Sequence, residues 1–264
     1  MQETIRLDEK DGIAFVTLNR PKAYNAFDLP MVQLLADHLV KVASDPSLSG
    51  VVISGEGRAF CAGGDLKWAN GYGKNLGAAF HELAGRFHQA ILEIRRMPKP
   101  VVAAINGAAA GGGFSLALAC DFRIMESSAT LRQAYTSNGL CIDGGGTFTL
   151  PRLVGWARAM EIAAFDQPIS AEKAFSWGMV NEVVEDGEAL KRAVQLVEDL
   201  KKRPLSSFAA SKRLIADSFD TSLETQLEKE REFLSWCANL PDGREGIAAF
   251  LEKRSPNFNR ATDP

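Results

Sequence analysis

Short β-branched apolar runs alternate with amphipathic stretches as far as Leu150, and amphipathic stretches dominate the remainder of the chain. Thr4 to Leu7 and Ile13 to Leu18 flank Asp8-Glu9-Lys10-Asp11-Gly12. This spelling predicts a hairpin, because Asp-Gly favours the turn and Val, Ile, Phe and Thr favour extended chain. Met31, Leu34, Leu35, Leu39 and Val42 recur at helical spacing and predict a helix from Asp28 to Ser44. A strand is expected at Val51-Val52-Ile53-Ser54, then a mobile loop over the polar, glycine-bearing stretch Trp68 to Gly77. Leu83, Phe87, Ile91 and Ile94 share one face of a helix from Phe80 to Met97, which stops before Pro98 and Pro100.

The strand Val101 to Ile105, a helix around Phe114 to Cys120 and the strand Phe122 to Met125 form another unit. Beyond Leu150-Pro151-Arg152, helices are expected at 155–165, 171–177, 187–201, 204–218, 222–238 and 243–253, with strand character only from Met179 to Val184. The class is therefore mixed α/β, built of strand-plus-helix turns. Periodicity alone leaves open whether those turns form an open sheet or a spiral. No low-complexity tract or exact internal repeat is present.

Composition narrows the function. A chain of 264 residues, 46% hydrophobic and 24% charged, can bury a sizeable core. A net charge of −3 offers no general attraction to nucleic acid or anionic membranes. No apolar run approaches the ~20 residues needed to span a bilayer. Met1 to Asp8 carries acidic residues and no signal-peptide core, so a cytoplasmic location is expected. Cys61, Cys120, Cys141 and Cys237 form no Cys-x-x-Cys pair, and only His38, His81 and His88 supply imidazole. Neither disulfides nor a metal site is expected. Cys61 and Cys141 fall in segments of interest, but small buried side chains are the preferred reading for them.

Two glycine segments carry the candidate chemistry: Cys61-Ala62-Gly63-Gly64-Asp65-Leu66 and Asn106-Gly107-Ala108-Ala109-Ala110-Gly111-Gly112-Gly113. Each follows an apolar strand and reads as a strand that breaks into glycine and then turns into a helix. Glycine there lets a ligand oxygen approach the backbone, with peptide N–H groups free to meet it. Two such junctions supply the two convergent donors of an oxyanion hole. Tight turns are the structural alternative for either segment alone.

These segments, with Asn19-Arg20-Pro21-Lys22-Ala23-Tyr24-Asn25-Ala26, Gly144-Gly145-Gly146-Thr147, Leu150-Pro151-Arg152 and Phe250 to Pro256, resemble the crotonase superfamily, also called the enoyl-CoA hydratase/isomerase family. The match runs along nearly the whole chain. The resemblance implies a crotonase-like spiral of β-β-α turns over 1–200 that carries an acyl-CoA site. It also implies a C-terminal helical trimerisation region at 201–264, a homotrimer or dimer of trimers, and an acyl-CoA thioester ligand. Coenzyme A is then part of the substrate, and no separate cofactor is expected. The N–H groups of Gly64 and Gly112 become the implied oxyanion donors. Lys22, Ala23, Tyr24, Ala62, Asp65, Leu66 and Lys67 are placed against CoA, and Lys253 is placed toward its phosphates, within the subunit or across a subunit boundary.

The chain departs from the hydratase pattern. The two glutamate positions of that pattern fall on Ser115 and Tyr135, neither of them a carboxylate, whereas water addition needs a base for the water proton and an acid for the α carbon. Ser115 also lacks the Gly-x-Ser-x-Gly setting of a hydrolase nucleophile. Asp143 stands instead where enoyl-CoA isomerases, especially those of the phenylacetate pathway, hold their base. An N-cap role before a helix near 144–150 is its structural alternative. His88 and Asp143 also match the histidine and aspartate of 4-chlorobenzoyl-CoA dehalogenases, with Tyr135 at the position of an indole donor. The expected function is double-bond migration through an enolate, with Asp143 moving the proton and Tyr135 and His88 orienting it. An atypical hydratase, a dehalogenase-like hydrolase and a non-catalytic acyl-CoA binder are the alternatives.

Overall fold

The computed structural model describes residues 3–258. Parts of the expectations for the chain's opening residues and for the regions 1–200 and 201–264 therefore lie outside the described residues. The predicted hairpin is present as β1 (Ile5–Lys10) and β2 (Ile13–Leu18), paired antiparallel. Strands β3 (Gly50–Gly55), β5 (Val101–Ile105), β7 (Phe122–Glu126) and β10 (Glu182–Val184) continue this sheet in parallel, in the order β1-β2-β3-β5-β7-β10. β3 and β5 are buried along nearly their whole length, as expected of strands covered on both faces.

A second sheet was not legible in the hydrophobic pattern. It consists of β4 (Ala59–Cys61), β6 (Ala108–Ala110), β8 (Thr130–Arg132) and β9 (Ile169–Ser170), in that order. Each glycine segment therefore does not pass directly from strand to helix. A short strand of the second sheet comes first. β6 consists of alanine, a poor strand former, and it is held by tertiary approach. A Cβ on Gly107 would lie 2.3 Å from the Arg58 carbonyl oxygen, so glycine at that bend brings the two turns together. Because β3, β5 and β7 adjoin in one sheet while β4, β6 and β8 adjoin in the other, successive β-β-α turns stack one on the next.

Helix α1 (Leu29–Ser44) is capped by Asp28, whose carboxylate accepts from the Met31 N–H. The expected loop at 68–77 shrinks to a turn at 71–75 between two helices. Asp65 accepts from the Lys67 and Trp68 amides and starts α2 (Leu66–Asn70), and α3 (Leu76–Arg96) begins four residues earlier than periodicity suggested. Trp68 meets Tyr72 edge-on, and the Tyr72 hydroxyl donates to Glu82 on α3. Helix α4 (Gly112–Ala119) is buried throughout.

The remaining helices are α5 (Gly146–Phe165), α6 (Ala171–Ser176), α7 (Ala189–Lys201), α8 (Leu205–Asp217), α9 (Leu223–Asn239) and α10 (Pro241–Leu251). α5 breaks at Gly155, where φ is 75°. α7 packs Ala189, Ala193 and Val197 against the first sheet. α8 is pinned to the core by Lys212, which reaches Asp121 at 2.7 Å and the Ile94 and Lys99 carbonyls. Among the described residues no helix is long and apolar enough to cross a membrane.

Candidate active site

The two glycine turns touch. Gly63 (φ 90°) and Gly111 (φ 54°) adopt conformations that disfavour side chains. A Cβ on Gly63 would fall 2.9 Å from the Gly112 nitrogen. Phe27 is threaded through the first turn, its N–H on the Gly63 carbonyl and its carbonyl accepting from Asp65. The second turn is tied to β8 by the Gly111 N–H on the Arg132 carbonyl. Among the described residues, neither the Gly64 nor the Gly112 N–H has a hydrogen-bond acceptor. Gly112 is also the first residue of α4, where the helix leaves its amides unpaired and positive.

Gly64 and Gly112 line one cavity of about 440 Å³. Its wall also includes Phe27, Phe80, Leu83 and Phe87, together with Tyr135 and Asp143. Asp143 is the one carboxylate in that wall among the described residues. Of the residues expected to meet CoA, Ala62 and Leu66 are in the wall.

Asp143 does not cap a helix with its side chain. α5 begins after Gly145, which has no side-chain cap, and the Asp143 carboxylate turns to Tyr135 instead. The Tyr135 hydroxyl donates to Asp143 Oδ1 at 2.5 Å. Burial, followed by the charge and hydrogen bond of Asp143, pushes the Tyr135 phenol above its ordinary range, so the donor proton stays in place. Ser115, one turn along α4 from Gly112, donates to the Asp143 carbonyl at 2.7 Å and fixes the loop's backbone. His88 Nε2 lies 3.6 Å from Asp143 Oδ2 and accepts from the Gly144 N–H at 3.3 Å. His88 is not in the cavity wall, and its side chain is 49% exposed against 34% for Asp143.

Lys22 and Ala23 lie in a 3-10 turn, Pro21–Ala23, that leads into Tyr24 and is tied to the first glycine turn by the Ala62 N–H on the Tyr24 carbonyl. Lys22, Tyr24 and Lys67 are exposed, and the Arg58 guanidinium sits 4.5 Å above the Tyr24 ring. Asp65 is engaged as a cap and as a partner of Arg20 at 3.0 Å. Burial alone would raise its carboxyl, but the Trp68 N–H, Arg20 and the Lys67 N–H outweigh this and hold it low. Lys253 is exposed just beyond α10, away from the cavity wall. Cys61 is buried, and its thiol is pushed up to about 12, which makes it inert. Cys141 departs from the buried reading: it is exposed in the loop that forms the cavity wall beside Asp143.

Three residues that brace the site were not singled out by sequence reasoning. Asn25 is fully buried and donates to the carbonyls of Glu56, Ala59 and Phe60. Asn106 clasps Gly55 through both its amide atoms and also reaches the Gly57 carbonyl. Arg20 joins Ala26, Asp28 and Asp65. The signal available was position: an asparagine or arginine within an otherwise apolar or turn-forming motif has backbone to satisfy.

The enoyl-CoA hydratase/isomerase family pattern matches residues 8–261. The chain is 38% identical over 262 residues to 1,2-epoxyphenylacetyl-CoA isomerase of Escherichia coli K12, covering 98% of this chain and 99% of that one. It is 31% identical to 4-chlorobenzoyl coenzyme A dehalogenase-2 of an Arthrobacter species, covering 98% and 94%. The crystal structure of an enoyl-CoA hydratase from Polaromonas sp. JS666 superposes with a TM-score of 0.90 at 36% identity, covering 97% of this chain and 99% of that one.

Proposed function

The chain belongs to the enoyl-CoA hydratase/isomerase family, and from that membership we propose that it is an enoyl-CoA isomerase that shifts a C=C double bond along an acyl-CoA thioester. Gly64 and Gly112 donate their N–H groups to the thioester oxygen as the enolate forms, and one such donor contributes about 3–4 kcal/mol to the transition state. Asp143 removes the proton from one carbon and returns it to another. Tyr135 holds Asp143 through its Oδ1, and His88 stands beside the other carboxylate oxygen. The observation that carries this reading is that, among the described residues, one carboxylate stands in the wall of the cavity that also contains the two unpaired amides. The hydratase pattern uses a pair of carboxylates for water addition, and among the described residues the wall holds one, with His81 and Tyr135 also in that wall.

Coenzyme A enters and leaves as part of the substrate in this reading, with no separate cofactor. Lys22, Ala23, Tyr24, Ala62, Asp65, Leu66 and Lys67 hold it near the first glycine turn, and Lys253 meets its phosphates. A trimer or dimer of trimers is supported by the exposed apolar side chains of α5, α9 and α10, among them Trp156, Leu234, Phe250 and Leu251. The test is to incubate the protein with a 3-enoyl-CoA and follow conjugation by ultraviolet absorbance. Growth of the conjugated thioester is expected. Binding without any change in absorbance would favour the non-catalytic binder.

One observation favours a second reading. His88 lies 3.6 Å from Asp143, and this pairing suits a dehalogenase-like substitution in which the aspartate attacks an activated aryl-CoA and the histidine activates water against the ester. Halide release from 4-chlorobenzoyl-CoA, with no action on the 3-enoyl-CoA, would select it.

A further inference from the structure

The hydrogen-bond directions around Asp143 distinguish its two oxygens. Tyr135 donates to Oδ1 at 2.5 Å, and a phenol raised by burial and by Asp143 keeps that proton. Oδ1 is therefore satisfied and is the weaker base. Among the described residues Oδ2 has no donor; its neighbour is His88 Nε2 at 3.6 Å. That nitrogen accepts the Gly144 N–H, so it carries a lone pair, and the neutral ring has its hydrogen on Nδ1. Two acceptor atoms, Asp143 Oδ2 and His88 Nε2, thus lie 3.6 Å apart with no proton between them, the Nε2 lone pair being engaged by the Gly144 N–H. Only a proton placed between them makes that contact favourable.

We propose that Asp143 Oδ2 is the atom that takes the substrate proton and that His88 is a positioning residue receiving that proton's hydrogen bond, which opens a route for it to solvent. This rests on the isomerase reading above. The C–H bond breaks toward Oδ2, and its electron pair passes into the enolate, whose charge rests on the thioester oxygen. Asp143, now neutral, donates from Oδ2 to His88 Nε2, and the long Gly144 bond yields. If the proton crosses to Nε2, the carboxylate is regenerated and the ring is an imidazolium, whose Nε2–H exchanges with water while Nδ1 keeps its hydrogen. A proton then returns through Oδ2 to the other carbon, and the double bond has moved with no net gain or loss. His88 stands outside the cavity wall beside a group inside it, and of the two it is the more open to water.

Two measurements test this. The chain contains only three histidines, so nitrogen-15 labelling of histidine resolves each ring, with His88→Gln identifying the signal. At mildly alkaline pH, His88 is expected to be the Nδ1–H tautomer; hydrogen on Nε2 overturns the proposal. In the second, a 3-enoyl-CoA is converted in heavy water and the product of the first turnover is weighed. Wild-type product is expected to carry solvent deuterium at the newly protonated carbon. His88→Phe, which has no ring nitrogen, is expected to lower that fraction several-fold, and His88→Gln, which can accept but not relay, to lower it likewise. Equal deuterium in wild type and both variants overturns the proposal while leaving the isomerase reading intact. A wild-type protein that moves no double bond overturns both.

Discussion

The two glycine turns end alike and are supported differently. The first, at Gly63-Gly64, leads into five-residue α2, held by the Asp65 cap, the Arg20 ion pair and the Tyr72–Glu82 contact, all close to the surface. The second, at Gly111-Gly112, leads into α4, which has no side-chain cap and is buried along all eight residues. One turn is braced by polar groups that water can reach, and the other is wedged into the core. In the proposed reaction both contribute one amide, and the helix that follows the second is the more deeply packed. Substitutions at equivalent positions should therefore have unequal consequences.

The largest difference is expected at Gly113. A Cβ there would lie 2.2 Å from the Cys61 carbonyl oxygen, and backbone cannot give way. Gly113→Ala should lose about 3 kcal/mol or fail to fold, read by denaturant unfolding. Gly112→Ala keeps its N–H, but its methyl would meet the Phe27 ring at 3.2–3.3 Å and Phe87 at 3.6 Å. The protein should fold, with kcat/KM reduced by about 10²-fold, the size of one displaced oxyanion donor. At Gly64 the added methyl meets Leu83 at 3.6 Å, an ordinary contact. Gly64→Ala should change transition-state binding by only about 0.5 kcal/mol, roughly twofold in rate. Equal losses at Gly64 and Gly112 would break the distinction between the turns.

The one pH-linked effect concerns the cap. Asp65→Ala should cost about 1 kcal/mol, measured by thermal or chemical unfolding. Because the folded carboxyl is held below its unfolded value, its contribution is complete above the unfolded value of about 3.9. It is lost as pH falls from there through the lower folded value. Asp65→Asn keeps the cap oxygen and should flatten that acid limb of the stability profile. No pH-linked part of this kind is available to the second turn, which has no titratable cap.

Much of the frame was legible because its strands and helices bury one face or both. Val51 to Ser54, Val101 to Ile105 and the Leu83-Phe87-Ile91-Ile94 stripe carry their elements in their spacing, and the motifs carried the family. The second sheet was hidden because β4 and β6 are three residues each, and the alanines of β6 are extended by neighbours rather than by propensity. α2 was hidden because it depends on one aspartate cap within a polar stretch. At the site, the residues that resemblance nominated around Asp143 come together. The Ser115 hydroxyl on the Asp143 backbone and the direction of the Gly144–His88 bond needed three dimensions, since residues 28 and 56 positions apart must meet.

The central claim is that Asp143 is the base beside two backbone donors, and Asp143→Asn tests it most directly. The amide keeps the shape and cannot take the proton. The rate of conjugation of a 3-enoyl-CoA should fall by about 10²–10⁴-fold, with the dissociation constant for the CoA ester unchanged. An Asn variant that turns over as fast as wild type would contradict the account.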